Sequence, residues 1–215
     1  QKLHDLYEQG RESGLAAEKA LIDPLAVVLA SPGFLYLSEI EEAGSKRMPL
    51  TQRELAVRLS YFLWSAPPDE ALYQAAEKGN LKNSAELTRQ VDRMLADPRA
   101  EAFYHSFMSQ WFELHRFDDI AVNPKDYLMF DEQVRYSARK EPIRLFEHLM
   151  KENLSLANLI DSDFAMLDPL LAHFYGIQGV EGQGFRKVSL PPESPRGGLI
   201  GSTAFMIMGS TGDRT

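Results

Sequence analysis

Capped, amphipathic segments follow one another from Thr51 to His115, and this run sets the fold class. Thr51-Gln-Arg-Glu54 is a capping box, in which a hydroxyl and a carboxylate three residues on satisfy the first free N–H groups of a helix. Behind it Leu55, Leu59, Phe62 and Leu63 fall at i, i+4, i+7 and i+8, one helical face, and Pro67-Pro68 ends the segment. This predicts a helix over 52–65. A second is expected over 69–78, with Leu72, Ala75 and Ala76 inward and Gly79 as its stop. A third is expected over 85–96 behind Ser84 as N-cap, with Leu87, Val91, Met94 and Leu95 as its stripe. Asp97-Pro98 pairs an N-cap with proline at the first helical position. It opens a long helix to about His115, with Phe103, Phe107, Trp111 and Leu114 on one face.

The flanks are less regular. Residues 15–30 read as a helix kinked or broken at Pro24 and stopped by Ser31-Pro-Gly33, and 38–49 form a charged connector without periodicity. Residues 118–130 read as a loop turning at Asn123-Pro124, and 131–152 as a long helix disturbed at Pro142. Short helices are expected over 155–160 and 168–175, the second ended by Gly176. The Gly/Pro-rich stretch 176–198 is where a small hairpin fits, with 185–190 as a strand, and 199–208 reads as a last helix weakened by Gly201 and Thr203. The expected fold is all-α, an irregular multi-helix bundle with that one Gly/Pro-rich segment. The ends look cut: there is no initiator Met, and 209–215 stop in a polar loop.

Composition excludes several chemistries. The chain has 215 residues, 44% of them hydrophobic, enough to bury a core in one or two domains. With no cysteine it has no thiol nucleophile, no Cys-ligated metal and no thioether attachment for a c-type haem of its own. A net charge of −8 argues against a broad nucleic-acid surface, and no apolar run approaches the roughly 20 residues of a transmembrane helix.

Motifs for chemistry are sparse. The histidines make no H-E-x-x-H pattern, and there is no nucleophile elbow, Walker loop or dinucleotide fingerprint. His105, mid-helix among aromatics, reads as a packed histidine. His173 reads as a helix C-terminal residue favoured by the dipole. Asp161-Ser-Asp163 with Asp168 nearby offers either an acid/base pair or, more simply, caps of short helices, because a calcium loop needs more alternating oxygens and a turn glycine. Trp64, Phe107, Trp111, Phe112, Phe146, Phe174 and Tyr175 fall at helical spacing and read as core, not as a sugar platform. Arg196-Gly-Gly198 is either an anion-binding turn or a helix-capping guanidinium.

Several segments together carry a resemblance. They are Ser31-Pro-Gly-Phe-Leu-Tyr36 with Glu39, the run from Leu50 to Trp64, Pro68-Asp-Glu-Ala-Leu72, and Arg93-Met-Leu-Ala-Asp-Pro-Arg99. Gln110-Trp111, Leu171-Ala-His-Phe-Tyr-Gly-Ile177 and Arg196-Gly-Gly-Leu199 complete the set. In this order they resemble the helical domains of unknown function of large planctomycete-type proteins that also carry cytochrome-c-like segments. The resemblance implies the end of one small domain over 1–40, a central helical domain over 48–178 and the start of a third over 195–215. The chain departs from the pattern at Leu37 (usually Arg), Pro142 (usually Thr) and Asp168-Pro169 (usually Asn-Glu).

The resemblance implies an exported, extracytoplasmic (periplasmic) multi-domain protein, with no cofactor in this chain and a c-type haem in a neighbouring domain or chain. The expected function is a non-catalytic docking module that positions haem or partner domains. One alternative is part of a redox or hydrolytic site completed elsewhere, with Glu141, Asp161, His173, Tyr175 and Arg196 as polar contributors. Another is an accessory subunit of a membrane-associated redox complex. The segment 199–208 is apolar on most sides, so Leu199, Ile200, Phe205, Met206 and Met208 are expected at a domain or subunit interface, exposed in the lone chain.

Overall fold

The computed structural model of the protein describes residues 1–36 and 49–210. The expected connector over 38–49 therefore lies almost wholly outside the described residues, as do residues 211–215. Among the described residues the fold is mainly α-helical, with one two-stranded sheet. At the N-terminus α1 (Lys2–Glu12), α2 (Ala17–Ala20), α3 (Ile22–Leu29) and α4 (Pro32–Leu35) pack mostly on one another. The break in this region falls at Leu21, not at Pro24, which sits in the first turn of α3 where its missing N–H costs nothing. The helix over 15–30 does stop before Ser31, which is extended, and Pro32 then starts the short α4.

The second part begins with α5 (Gln52–Trp64). Thr51 Oγ1 accepts from the Glu54 N–H and Glu54 returns the bond to the Thr51 N–H, the expected capping box. Its buried face is Ala56, Ser60, Leu63 and Trp64, rotated from the expected stripe so that Phe62 stands out in solvent, 61% exposed. Helix α6 (Glu70–Glu77) buries Leu72, Ala75 and Ala76 as expected. Helix α7 (Ser84–Ala96) is capped by Asn83, one residue before the expected Ser84, and buries Met94 and Gln90. Asp97 caps a 3₁₀ turn, Pro98–Ala100, that leads into α8 (Glu101–Trp111).

The long helix expected to reach His115 stops at Trp111. Glu113 takes a left-handed conformation and α9 (Leu114–Asp119) leaves in a new direction. The stripe Phe103, Phe107, Trp111 thus runs off the core: Phe103 is buried, Phe107 partly so, and Trp111 is 56% exposed. His105 is exposed too, not packed. Helix α10 (Glu132–Lys151) crosses the core without interruption at Pro142, whose burial among packed side chains offsets the one backbone bond it cannot make.

A 3₁₀ turn, Leu156–Leu159, follows, then β1 (Phe164–Leu167), α11 (Pro169–Phe174), β2 (Arg186–Ser189) and α12 (Thr203–Met208). Strand β1, which lies between the caps expected at Asp163 and Asp168, has no counterpart among the expected elements. It pairs antiparallel with β2, Phe164 opposite Ser189 and Leu167 opposite Arg186, so the hairpin closes over α11 and not within 176–198. Asp163 caps no helix; its carbonyl accepts from the Leu190 N–H. Of 199–208 only the second half is helical, and Leu199, Ala204 and Ile207 join the core built by α5 to α11.

Candidate functional site

Several of the motif residues meet in one structural cluster. Trp64 closes α5 and donates from Nε1 to the Met94 carbonyl at 2.9 Å. The Arg99 guanidinium lies 3.5 Å from its ring centroid. Asp69, the N-cap of α6, takes both nitrogens of Arg93 at 2.7 and 3.0 Å. Asp97 pairs with Arg99 in the same way at 2.9 and 2.7 Å. This arrangement ties α5, α6 and α7 together, and its groups are mutually satisfied, so it reads as scaffold.

The polar group with unspent chemical potential lies on α10. Glu141 is 4% exposed and one residue before Pro142. The Tyr175 hydroxyl donates to Glu141 Oε2 at 2.6 Å. The Tyr175 hydroxyl oxygen in turn accepts from the Thr203 N–H at 3.0 Å and from Thr203 Oγ1 at 2.9 Å. Arg196 stacks on the Tyr175 ring at 4.0 Å and donates to the Gly201 carbonyl at 3.1 Å. Beside them Ser137, one turn before Glu141, donates to Asp168, whose other oxygen caps α11 through the Leu171 N–H at 2.8 Å. Burial pushes the Glu141 carboxyl up to about 7, and the Asp168 charge adds to this. The Tyr175 hydroxyl, the Arg196 guanidinium and the Thr203 backbone act against it. Burial, with Glu141 alongside, raises Tyr175 well above its ordinary range, so it is a hydrogen-bond donor and not an anion.

Three of the five expected polar contributors, Glu141, Tyr175 and Arg196, therefore converge. His173, on the outer side of α11, and Asp161 are exposed and do not join them. Asp161 instead lines an open polar groove with Asn158, Asp163, Ser194 and Arg196. Thr203, Ser137 and Asp168 belong to the cluster and were not expected there; only the tertiary path of α11 and α12 brings them in. Among the described residues no group of three His, Asp or Glu side chains is placed to hold a metal ion.

Next to the cluster α12 roofs a small apolar cleft of about 110 Å³, lined by Val122, Tyr127, Phe130, Phe174, Met206 and Ile207, with Arg196 and Thr203 at its edge. The outer face of this region is apolar as well. Ile200 is 56% exposed, and Phe205 and Met206 about two-fifths exposed, whereas Leu199 is buried and Met208 partly so. Phe205 meets Phe112, and Phe112 meets Trp111, each at 5.8 Å between ring centroids. An aromatic surface thus runs from α12 to the end of α8. No helix among the described residues is long and apolar enough to cross a membrane.

The chain belongs to the family described as PSD4, protein of unknown function (DUF1592), whose profile matches residues 50–177. No curated protein and no solved structure matches the chain.

Proposed function

We propose that this chain, as a member of the DUF1592 family, is a non-catalytic docking module of an exported, cytochrome-c-associated multi-domain protein, and that α12 with the end of α8 holds the neighbouring domain in place. One observation carries the reading: Phe205, Phe112 and Trp111 form a continuous apolar surface, with Ile200 and Met206 exposed on the segment that bears Phe205, while Leu199, Ala204 and Ile207 root that segment in the core. Apolar area of this kind at the surface of one chain is the mark of an interaction face, and methionine adapts to an irregular partner. The c-type haem belongs to the partner in this reading, as does any reaction.

The test is association. The chain should self-associate weakly or bind the neighbouring domain of its own protein in sedimentation velocity. Phe205→Ser and Trp111→Ser should each weaken that about tenfold or more with unchanged circular dichroism. A chain that stays monomeric and ignores its neighbouring domain overturns the reading. The enzymatic alternative rests on the meeting of Glu141, Tyr175 and Arg196. It requires Glu141 to reach a substrate, and in the closed fold Tyr175 and Thr203 cover it.

A further inference from the structure

The cover over Glu141 is slight. Helix α12 has six residues. Its root is fixed: the Leu199 N–H donates to the Leu159 carbonyl at 2.7 Å, and Gly197 and Gly198, at φ 118° and 61°, lie so close to the Ser162 and Ile160 carbonyls that a Cβ at either position would collide with them. Beyond that root the helix is undercut by the apolar cleft, which Met206 and Ile207 line, and its Phe205 and Met206 side chains are each about two-fifths exposed. Its polar anchors to the protein are Thr203, through Tyr175, on the Glu141 carboxylate, and the Met206 sulfur, which accepts from Arg196 Nη1 at 3.5 Å.

We propose that α12 is a flap over the Glu141 carboxyl, and that loss of the Glu141 proton lifts the flap and enlarges the docking face by the buried sides of Ala204 and Ile207. The inference rests on the docking reading for what the flap regulates, but not for its motion. A carboxylate sealed from water with one hydroxyl donor and a guanidinium beyond it is under-solvated, and lifting α12 admits water. The protonated acid has no such need. The groups that face Glu141 are few. Tyr175 and Asp168 come from the ends of α11, and Arg196 from the segment before α12; Ser137 on its own helix is held by Asp168. Strand β1 and α12 carry no titratable residue, and on α8 the Tyr104 hydroxyl is bonded to the Leu95 carbonyl. The proton on Glu141 is therefore the variable to which this seal responds.

Linkage fixes the direction and size. The closed state holds the Glu141 proton up to about pH 7 against an ordinary value of 4.5, and the lifted state returns the group to water. The lifted fraction then rises by up to tenfold per pH unit between these values and levels off above. Hydrogen exchange of the whole chain, corrected for intrinsic rates, reads this at the amides of 203–208. Protection in the wild type should fall by about sixtyfold from pH 5 to 7.5, while Glu141→Gln, a fixed neutral mimic, stays level. Arg196→Gln removes the cation that favours the charged carboxylate in the closed state, so the fall should continue to higher pH before it levels off; this variant decides the matter if Glu141→Gln does not fold. The α5 amides, 52–64, should show no such slope. Parallel slopes in the wild type and Glu141→Gln, or an equal slope in α5, overturn the flap. A normal slope in a chain that binds no partner overturns only the docking reading, whereas intact binding with no slope overturns only the flap.

Discussion

The Tyr175 hydroxyl accepts two hydrogen bonds from Thr203 and donates one to Glu141, so its full capacity is used inside the protein. Tyr175→Phe removes all three at once and leaves a buried carboxyl and two donors without partners. The expected loss is about 1–3 kcal/mol by urea denaturation at neutral pH, the cost of unsatisfied buried groups. Thr203→Val keeps the backbone donor and should cost less, about 1 kcal/mol. The two tryptophans contrast in the same way. Trp64 is 3% exposed, hydrogen-bonded and covered by Arg99, whereas Trp111 stands at the C-terminal end of α8, 56% exposed. Iodide should therefore quench only part of the native emission, and Trp111→Phe should remove the quenchable part and shift the remaining band to the blue. A native chain whose whole emission is protected contradicts the placement of Trp111.

At the scale of elements, the caps differ in what else they hold. The Thr51 capping box satisfies only helix-end groups of α5, and Thr51→Ala should cost about 1 kcal/mol. Asp168 caps α11 and also receives the buried Ser137 hydroxyl. Asp168→Ala should cost about 1 kcal/mol more than Thr51→Ala in the same urea titration, since it also strands Ser137 inside α10. The same difference explains what the sequence makes legible. Capping at Thr51, Asp69 and Asp168 and the inward face of α6 are local, set by residues within one turn, and all can be read along the chain. Strand β1 cannot: four apolar residues carry no period, and their partner lies beyond α11. The rotation of the α5 face and the exposure of Trp111 have a similar origin, because helical spacing names a stripe but not where the neighbouring helices end. Of the polar cluster, Glu141, Tyr175 and Arg196 stand out by residue type near turns and prolines. Thr203, Ser137 and Asp168 owe their place to the packing of α11 and α12 on α10.

For the whole molecule the buried carboxyl competes with exposed ones, and the pH dependence of stability separates them. Asp97 and Glu86 are held down to about 2, each chiefly by an arginine partner, Arg99 and Arg89. A group lowered in the fold stabilises it above the unfolded value, and that contribution is lost as pH falls toward 2. Glu141 has the opposite sign. Its folded value, about 7, lies above the ordinary 4.5, so the native state holds more protons than the unfolded chain between the two. Its contribution is complete below about pH 4.5 and is lost as pH rises through 7. Asp97 and Glu86 sit at the surface where solvent screens them, so the acid limb should be shallow. The alkaline limb is governed by a sealed group and should reach about 3 kcal/mol at most, from roughly 1.4 kcal/mol per pH unit. Denaturation midpoints measured from pH 3 to 8 should thus peak near pH 4.5–5 and decline toward 8. In Glu141→Gln the acid limb should persist and the decline should vanish, so the two curves run parallel below about pH 4.5, diverge between there and pH 7, and run parallel again above it. A wild-type curve that climbs to neutral pH would mean that water already reaches Glu141 in the folded protein, and the seal formed by Tyr175, Thr203 and α12 would not exist.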